Sequence, residues 1–243
     1  SFDMGFPAVI KHIMPRLYFP KALAAARAFK PDVIYERGSS YGLGALLSQA
    51  LKVPMLAMVL DEHYALSSLK QAKYVVATDE GVVPDGYRSK FVKVSWGANA
   101  ERFTPDLDKA AARKGWGLPA ERAGCVVCYV GSFKGWHGLD GLVEAASVAG
   151  PGFHYLLIGD GPRREAVEAA VTAAGLSDRF VFTGALAYDD VPSVIAAADM
   201  CVAPFEPTLH PRSAAGFVLD PLKIFEYLAM AKPSITINSD NIS

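Results

Sequence analysis

Lys223 and Glu226 stand three residues apart in "DPLKIFEYLAMAKP", residues 220–233, and so share one narrow stripe of any helix formed there. A cation in the first turn of a helix opposes the macrodipole by ~0.3–1 kcal/mol, so Lys223 is better placed if an anion shares the site. Glu226, one turn on, could accept hydrogen bonds from a vicinal diol such as a ribose. One helix would then hold both ends of a nucleoside diphosphate. An ordinary exposed ion pair, worth only ~0.2–0.5 kcal/mol, is the alternative. The helix has Asp220 as N-cap, Pro221 at its first position and Pro233 as its stop. Its interior is apolar almost all the way round, which predicts burial. Glu226 then falls on the Leu222, Phe225, Ala229 face, where a core residue belongs.

Two glycine-rich turns could add anion contacts. "GSFKGWHG", Gly131 to Gly138, concentrates three glycines with Ser132, Lys134 and His137 between a strand and a helix. Glycines admit close backbone approach, and Lys134 or His137 could face a phosphate with the helix dipole behind it. The alternative is a solvated loop whose Trp136 packs a gap. "GDGP" repeats the arrangement with Gly159 and Gly161, although such turns also serve simply to connect elements. In the first half, "ERGSSYGLG" falls short of a dinucleotide fingerprint; Arg37 there ends a strand and is a candidate to line a cleft. "DEHY" puts Asp61, Glu62 and His63 at another strand end, with His63 as a candidate polar contact or base against the reading of an incidental loop histidine. Ser/His/Asp and metal-ligand spacings are absent, and no metal is expected.

The elements that must position these residues alternate. Short apolar strands, "DVIYERG", "VPMLAMVL", "YVVAT" and "SKFVKVSWG", follow the helix "KALAAARAFK" and are separated by helices such as "SSYGLGALLSQALK". After residue 124 the rhythm strengthens: "CVVCYVG", "FHYLLIG", "FVFTG", "MCVAPF" and "PSITIN" are strands, with helices between them. This predicts parallel βαβ units, an α/β fold with two Rossmann-like halves, and ligand sites at the carboxyl ends of the strands, facing a cleft. Mixed Pro, Gly and charge over 104–124 suggest a linker, which sets domains at 1–104 and 105–243.

Composition narrows the classes. Of 243 residues 51% are hydrophobic and 20% charged, and 24 basic against 25 acidic residues leave a net charge of −1, so no global field argues for nucleic acid. Three cysteines exclude a disulfide framework and favour a reducing compartment. Cys125 and Cys128 lie three apart on a strand and so point to opposite faces, as buried thiols rather than a redox or metal pair. No apolar run reaches the ~18 residues of a spanning helix. Both ends read as cut from something larger.

In order, "YVGSFKGWHGLDGLVEAA", "HYLLIGDGPRREAVEAA", "RFVFTGALAYDDVPSVIAAADMCVAPF" and "DPLKIFEYLAMAKPSITIN" resemble the donor-binding domain of retaining nucleotide-sugar glycosyltransferases of the GT-B fold, family four, group 1 type. "PDVIYERGSSYGLGALLSQALKVP" and "VSWGANAERFTP" look like that family's acceptor domain and hinge. The resemblance implies that Glu226 is the second glutamate of an E-x7-E motif and binds the donor ribose, with Lys223 near the donor. Val218 occupies the first glutamate's position, and Asp220 is the carboxylate nearest to it. Ser132 and His137 stand where many members carry Arg and Lys, which leaves Lys134 as the substitute cation.

The resemblance further implies transfer of a hexose-like sugar with retention of configuration and without metal or other cofactor. The acceptor would be a carbohydrate, a lipid-linked molecule or a small molecule. The place would be the cytoplasm, with peripheral association at the inner face of a membrane as one option. A non-catalytic GT-B nucleotide-binding or assembly module is the competing class.

Overall fold

A computed structural model of the chain describes residues 8–60, 64–118, 124–210 and 221–238. It divides into two compact units, Ser1–Ser95 and Trp96–Ser243. Among the described residues no helix is long and apolar enough to cross a membrane.

The first unit carries α1 (Ala8–Phe29), α2 (Leu43–Leu51) and α3 (Leu66–Gln71) with four strands, β1 (Ile34–Arg37), β2 (Met55–Met58), β3 (Tyr74–Ala77) and β4 (Phe91–Lys93). The strands pair in parallel in the order β1-β2-β3-β4. Their apolar residues meet those of the helices in one core that includes Ala45, Met55, Ala57, Leu69, Val75 and Ala77. The sequence predicts a helix over "KALAAARAFK"; the observed α1 also runs back through Pro20 and Pro15, each of which removes one backbone donor from the ladder.

The second unit is a five-stranded parallel sheet in the order β7-β6-β5-β8-β9. The strands are β5 (Cys125–Val130), β6 (Phe153–Ile158), β7 (Phe180–Gly184), β8 (Met200–Ala203) and β9 (Ser234–Thr236). Helices α4 (Lys109–Gly115), α5 (Leu139–Val148), α6 (Arg164–Ala173), α7 (Val191–Ala196) and α8 (Leu222–Ala229) complete it. The two-residue period of β5 separates two cores. Val126 and Cys128 join α7 and α8 on one face, while Val127 and Tyr129 join α5 and α6 on the other. Cys128 packs beside Cys201 on the first face and Cys125 against the second, so the two thiols face apart as their spacing predicts. The chain moves outward from β5 to β7 and then returns to place β8 on the other side of β5. That reversal opens a crevice at the strands' carboxyl ends.

The units part after Ser95, not at residue 104, and packing explains the difference. Phe103 is 1% exposed within the second unit's core. Arg102 pairs with Asp189 at 2.7 Å. Beyond it, Asp108 caps α4 by accepting from the amides of Ala110 and Ala111. The buried Arg113 donates from Nε to the Ala197 carbonyl at 2.9 Å and also bonds Asp199. Much of what reads as a linker is therefore anchored structure.

Helix α8 departs from expectation in two ways. It begins at Leu222 with Pro221 at the N-cap position, and Asp220 lies outside the described residues. It is also not buried all round: Ile224, Glu226 and Tyr227 face inward, but Leu222 is 41% and Leu228 59% exposed. The apolar excess had masked a two-sided helix.

Candidate functional site

The turns after β5 and β6 are fastened to each other at the crevice. The Gly131 amide donates to the Ile158 carbonyl, Phe133 to Asp160, and Arg163 to Phe133, each at 2.9 Å. Gly159, at φ +128°, lies so close to the Gly131 carbonyl that any Cβ would overlap it. The Gly161 amide is taken by the carboxylate of Asp160 at 2.7 Å. The "GDGP" turn thus fills its own anion seat, and in this structure it shapes the neighbouring glycine loop.

Lys223 enters that loop from the first turn of α8. Its stem is partly accessible, but its ammonium nitrogen is fully buried and has no hydrogen-bond partner among the described residues. The nitrogen lies over the ring of Tyr129, 4.4 Å from the centroid, and 5.1 Å from that of Phe205. Gly131 makes room for it, since a Cβ there would stand 2.5 Å from Nζ. Burial lowers the Lys223 pKa to about 7, against a smaller opposing pull from Glu226. An unpartnered buried cation is costly, and this one is aimed at the loop that the sequence singles out.

His137 is buried beside Tyr129, edge to its ring. Its Nδ1 is 2.7 Å from the Tyr129 hydroxyl and also contacts the Ser132 carbonyl. A carbonyl can only accept, so Nδ1 carries the hydrogen. Burial, then the Lys223 charge, lower its pKa to about 4. His137 is therefore neutral at ordinary pH and supplies no positive charge to a phosphate, contrary to one of the roles the sequence allows it. Ser132 gives its carbonyl to this cluster, and Lys134 is exposed on the same loop.

Glu226 is 4% exposed, and its Oε1 accepts from the Tyr188 hydroxyl at 2.8 Å. No ion pair joins it to Lys223 among the described residues, so the simple pair expected from an i, i+3 spacing does not form. Burial raises the Glu226 pKa, while the Tyr188 bond and the Lys223 charge hold it back. Gly131, Ser132, His137, Lys223 and Glu226 thus gather around one corner of the crevice, with Gly159 and Gly161 behind them.

Three residues of this corner escape sequence reasoning: Tyr129, Tyr188 and Phe205. They read as ordinary strand and turn aromatics, and only the fold gives them charged neighbours. His63, with Asp61 and Glu62, lies outside the described residues, as does Val218. Arg37 ends β1 in the first unit and borders an apolar groove with Met14, Tyr18 and Tyr41. Glu36 beside it accepts from the Gly44 amide at 3.0 Å and from the Ser68 hydroxyl, which fixes the start of α2.

Comparison with known proteins places this geometry. Residues 124–243 match the family model described as glycosyl transferases group 1. The 2-deoxystreptamine glucosyltransferase of Streptomyces kanamyceticus is 47% identical over 110 residues, which is 41% of this chain and 28% of that protein. The 2-deoxystreptamine N-acetyl-D-glucosaminyltransferase of Streptomyces fradiae is 47% identical over 93 residues, 36% of this chain and 22% of that one. The chain thus spans less than a third of these relatives. Among solved structures, Anabaena Alr3699/HepE in complex with UDP superposes with a TM-score of 0.70 at 20% identity, over 90% of this chain and 62% of that one. Family model and curated relatives support the group 1 glycosyl transferases, the solved structures supply the matching GT-B fold, and the family match falls on the unit that carries Lys223 and Glu226.

Proposed function

We propose that the chain belongs to an enzyme that moves a hexose-like sugar from a nucleoside diphosphate sugar to an acceptor, with retention of configuration and without a metal ion. The observation that carries this reading is the buried, unpartnered ammonium of Lys223 beside the glycine loop. When the bond to the anomeric carbon breaks, negative charge grows on the departing diphosphate. A preorganised cation in a water-poor site stabilises that charge far better than water does. It also supplies what a bound metal would otherwise provide, which is the ground for expecting metal independence. Glu226 lies one helical turn away, and its remaining oxygen suits a ribose hydroxyl. It orients the donor and takes no part in bond breaking. His137 keeps the loop in shape through Tyr129 and Ser132. The names of the two Streptomyces relatives specify 2-deoxystreptamine, which favours a small-molecule acceptor over the carbohydrate and lipid-linked options.

The test is a transfer assay on the full-length protein with a panel of nucleotide sugars, alongside melting curves. A bound donor at 100 times its dissociation constant should add about 2.7 kcal/mol of stability. If no nucleoside diphosphate shifts the melting temperature at millimolar level, the donor site is wrong. Binding without turnover would make the chain a nucleotide-binding module instead. Glu226→Gln should cost on the order of 1.5–3 kcal/mol in donor binding without loss of stability, because an amide is cheaper to bury than a carboxylate.

A further inference from the structure

The bond between Tyr188 and Glu226 spans 38 positions of the chain and joins the turn after β7 to the middle of α8. No second hydrogen bond to this carboxylate occurs among the described residues. The tyrosine is not a loose surface side chain, although the residue is 46% exposed. The Arg102 guanidinium lies 5.1 Å from its ring centroid, and the Phe103 ring packs against it at 5.5 Å with a 55° tilt. Arg102 is in turn clamped to Asp189 at 2.7 Å, and Phe103 is part of the core. The amides of both residues donate to the Asn99 carbonyl. A packed aromatic therefore presents its hydroxyl to Glu226 from a fixed direction. The phenol is a dependable donor, since burial and then the carboxylate it faces push its pKa up to about 12.

A buried carboxylate left to itself would sample rotamers or take up a proton. Here one oxygen is occupied by the neutral Tyr188 hydroxyl, and Lys223 is the charged group that bears on the carboxylate. We propose that Tyr188 is a positioning residue of the donor site: it locks Glu226 in one rotamer so that the other carboxylate oxygen meets a ribose hydroxyl, with Arg102 and Phe103 steadying the ring. This rests on the donor-site reading above.

The experiment titrates UDP, GDP and ADP, with their 2′-deoxy and 3′-deoxy counterparts, into the full-length wild-type protein and Tyr188→Phe across a range of pH. The phenylalanine keeps the ring contacts and removes only the hydroxyl. Freeing the Glu226 rotamer should weaken the preferred ribonucleotide roughly three- to tenfold. The deoxy counterpart that has lost the contacted hydroxyl should weaken less, so the preference for ribose shrinks. The acid limb of binding should also move to higher pH, because the charged carboxylate loses a donor.

Unchanged ribonucleotide affinity would overturn the proposal. So would an equal loss for ribose and deoxyribose forms with the acid limb unmoved, which is the signature of a purely structural tyrosine. Should Tyr188→Phe fail to fold, Arg102→Leu keeps the hydroxyl but loosens the ring. It should show the same pattern at smaller amplitude, and an intact ribose preference there would overturn the idea equally. If the wild-type protein binds none of the nucleotides, the donor-site reading itself falls and takes this proposal with it.

Discussion

The Lys223 ammonium sits between two aromatic faces with no hydrogen-bond partner among the described residues, and burial has brought its pKa from 10.5 to about 7. Between these values the unfolded chain holds a proton that the folded, ligand-free chain lacks. Stability should therefore rise with pH across that window, and below about 7 the full desolvation penalty applies. Lys223→Met removes the charge at similar length. It should raise the ligand-free melting temperature at neutral pH, by roughly 2–4 °C for each kcal/mol relieved, flatten the dependence between pH 7 and 10, and abolish donor binding. Melting curves from pH 6 to 10 with and without nucleotide check all three. A variant less stable than wild type at pH 7 would show that the ammonium is satisfied in the ligand-free protein. That Lys223 and Glu226 are candidates was legible from one helix, because charge on an apolar stripe needs a reason, and both prove to be buried at their polar ends. Their actual partners were not, because Tyr129 and Tyr188 reach them only through tertiary packing.

Helix α4 shows how an element can be hidden by its composition. The segment around it mixes Pro, Gly and charge, which reads as a linker, yet its cations converge on Asp199 just before β8. Lys109 reaches one carboxylate oxygen at 2.5 Å, Arg113 bonds the other, and the Val126 amide donates to it at 2.6 Å. Arg113 and Lys232 also cap the carbonyls of Ala196, Ala197 and Ala198 at the end of α7. Those hydrogen bonds and nearby charges outweigh the effect of burial and hold the Asp199 pKa below its usual value. Its stabilisation is present above pH 3.8 and lost as pH falls through the depressed folded pKa. Asp199→Asn leaves Arg113 buried without its counter-charge and should cost about 3 kcal/mol, toward the low end for breaking a buried pair. Denaturant titration at pH 7 and pH 3 checks it: the gap between variant and wild type should narrow in acid. Strands, by contrast, were readable. Parallel strands covered on both faces must be apolar runs, and β5 to β9 fall where those runs lie. Charged anchors between helices leave no such period.

Two α/β units in one chain, with the family match on the second, are the features a whole-molecule experiment can use. On the proposed function Lys223 takes the place of a metal in charge compensation, so transfer by the full-length protein should survive exhaustive chelation. Loss of activity on chelation, restored by magnesium or manganese, would contradict that. The strand order of the second unit has a kinetic consequence as well. β5, β6 and β7 pair with their neighbours in sequence, whereas β8 returns to β5, placing Met200 beside Val127, and β9 then adds to β8. Closing a loop of that length is slow compared with joining consecutive strands. The glycine turns belong to the early portion of such an assembly, and Lys223 and Glu226 to the late one. A chain in which β8, α8 and β9 have yet to dock would hold half of the corner, so on the proposed function a nucleotide would act as a latch that delays escape rather than as a template that hastens arrival.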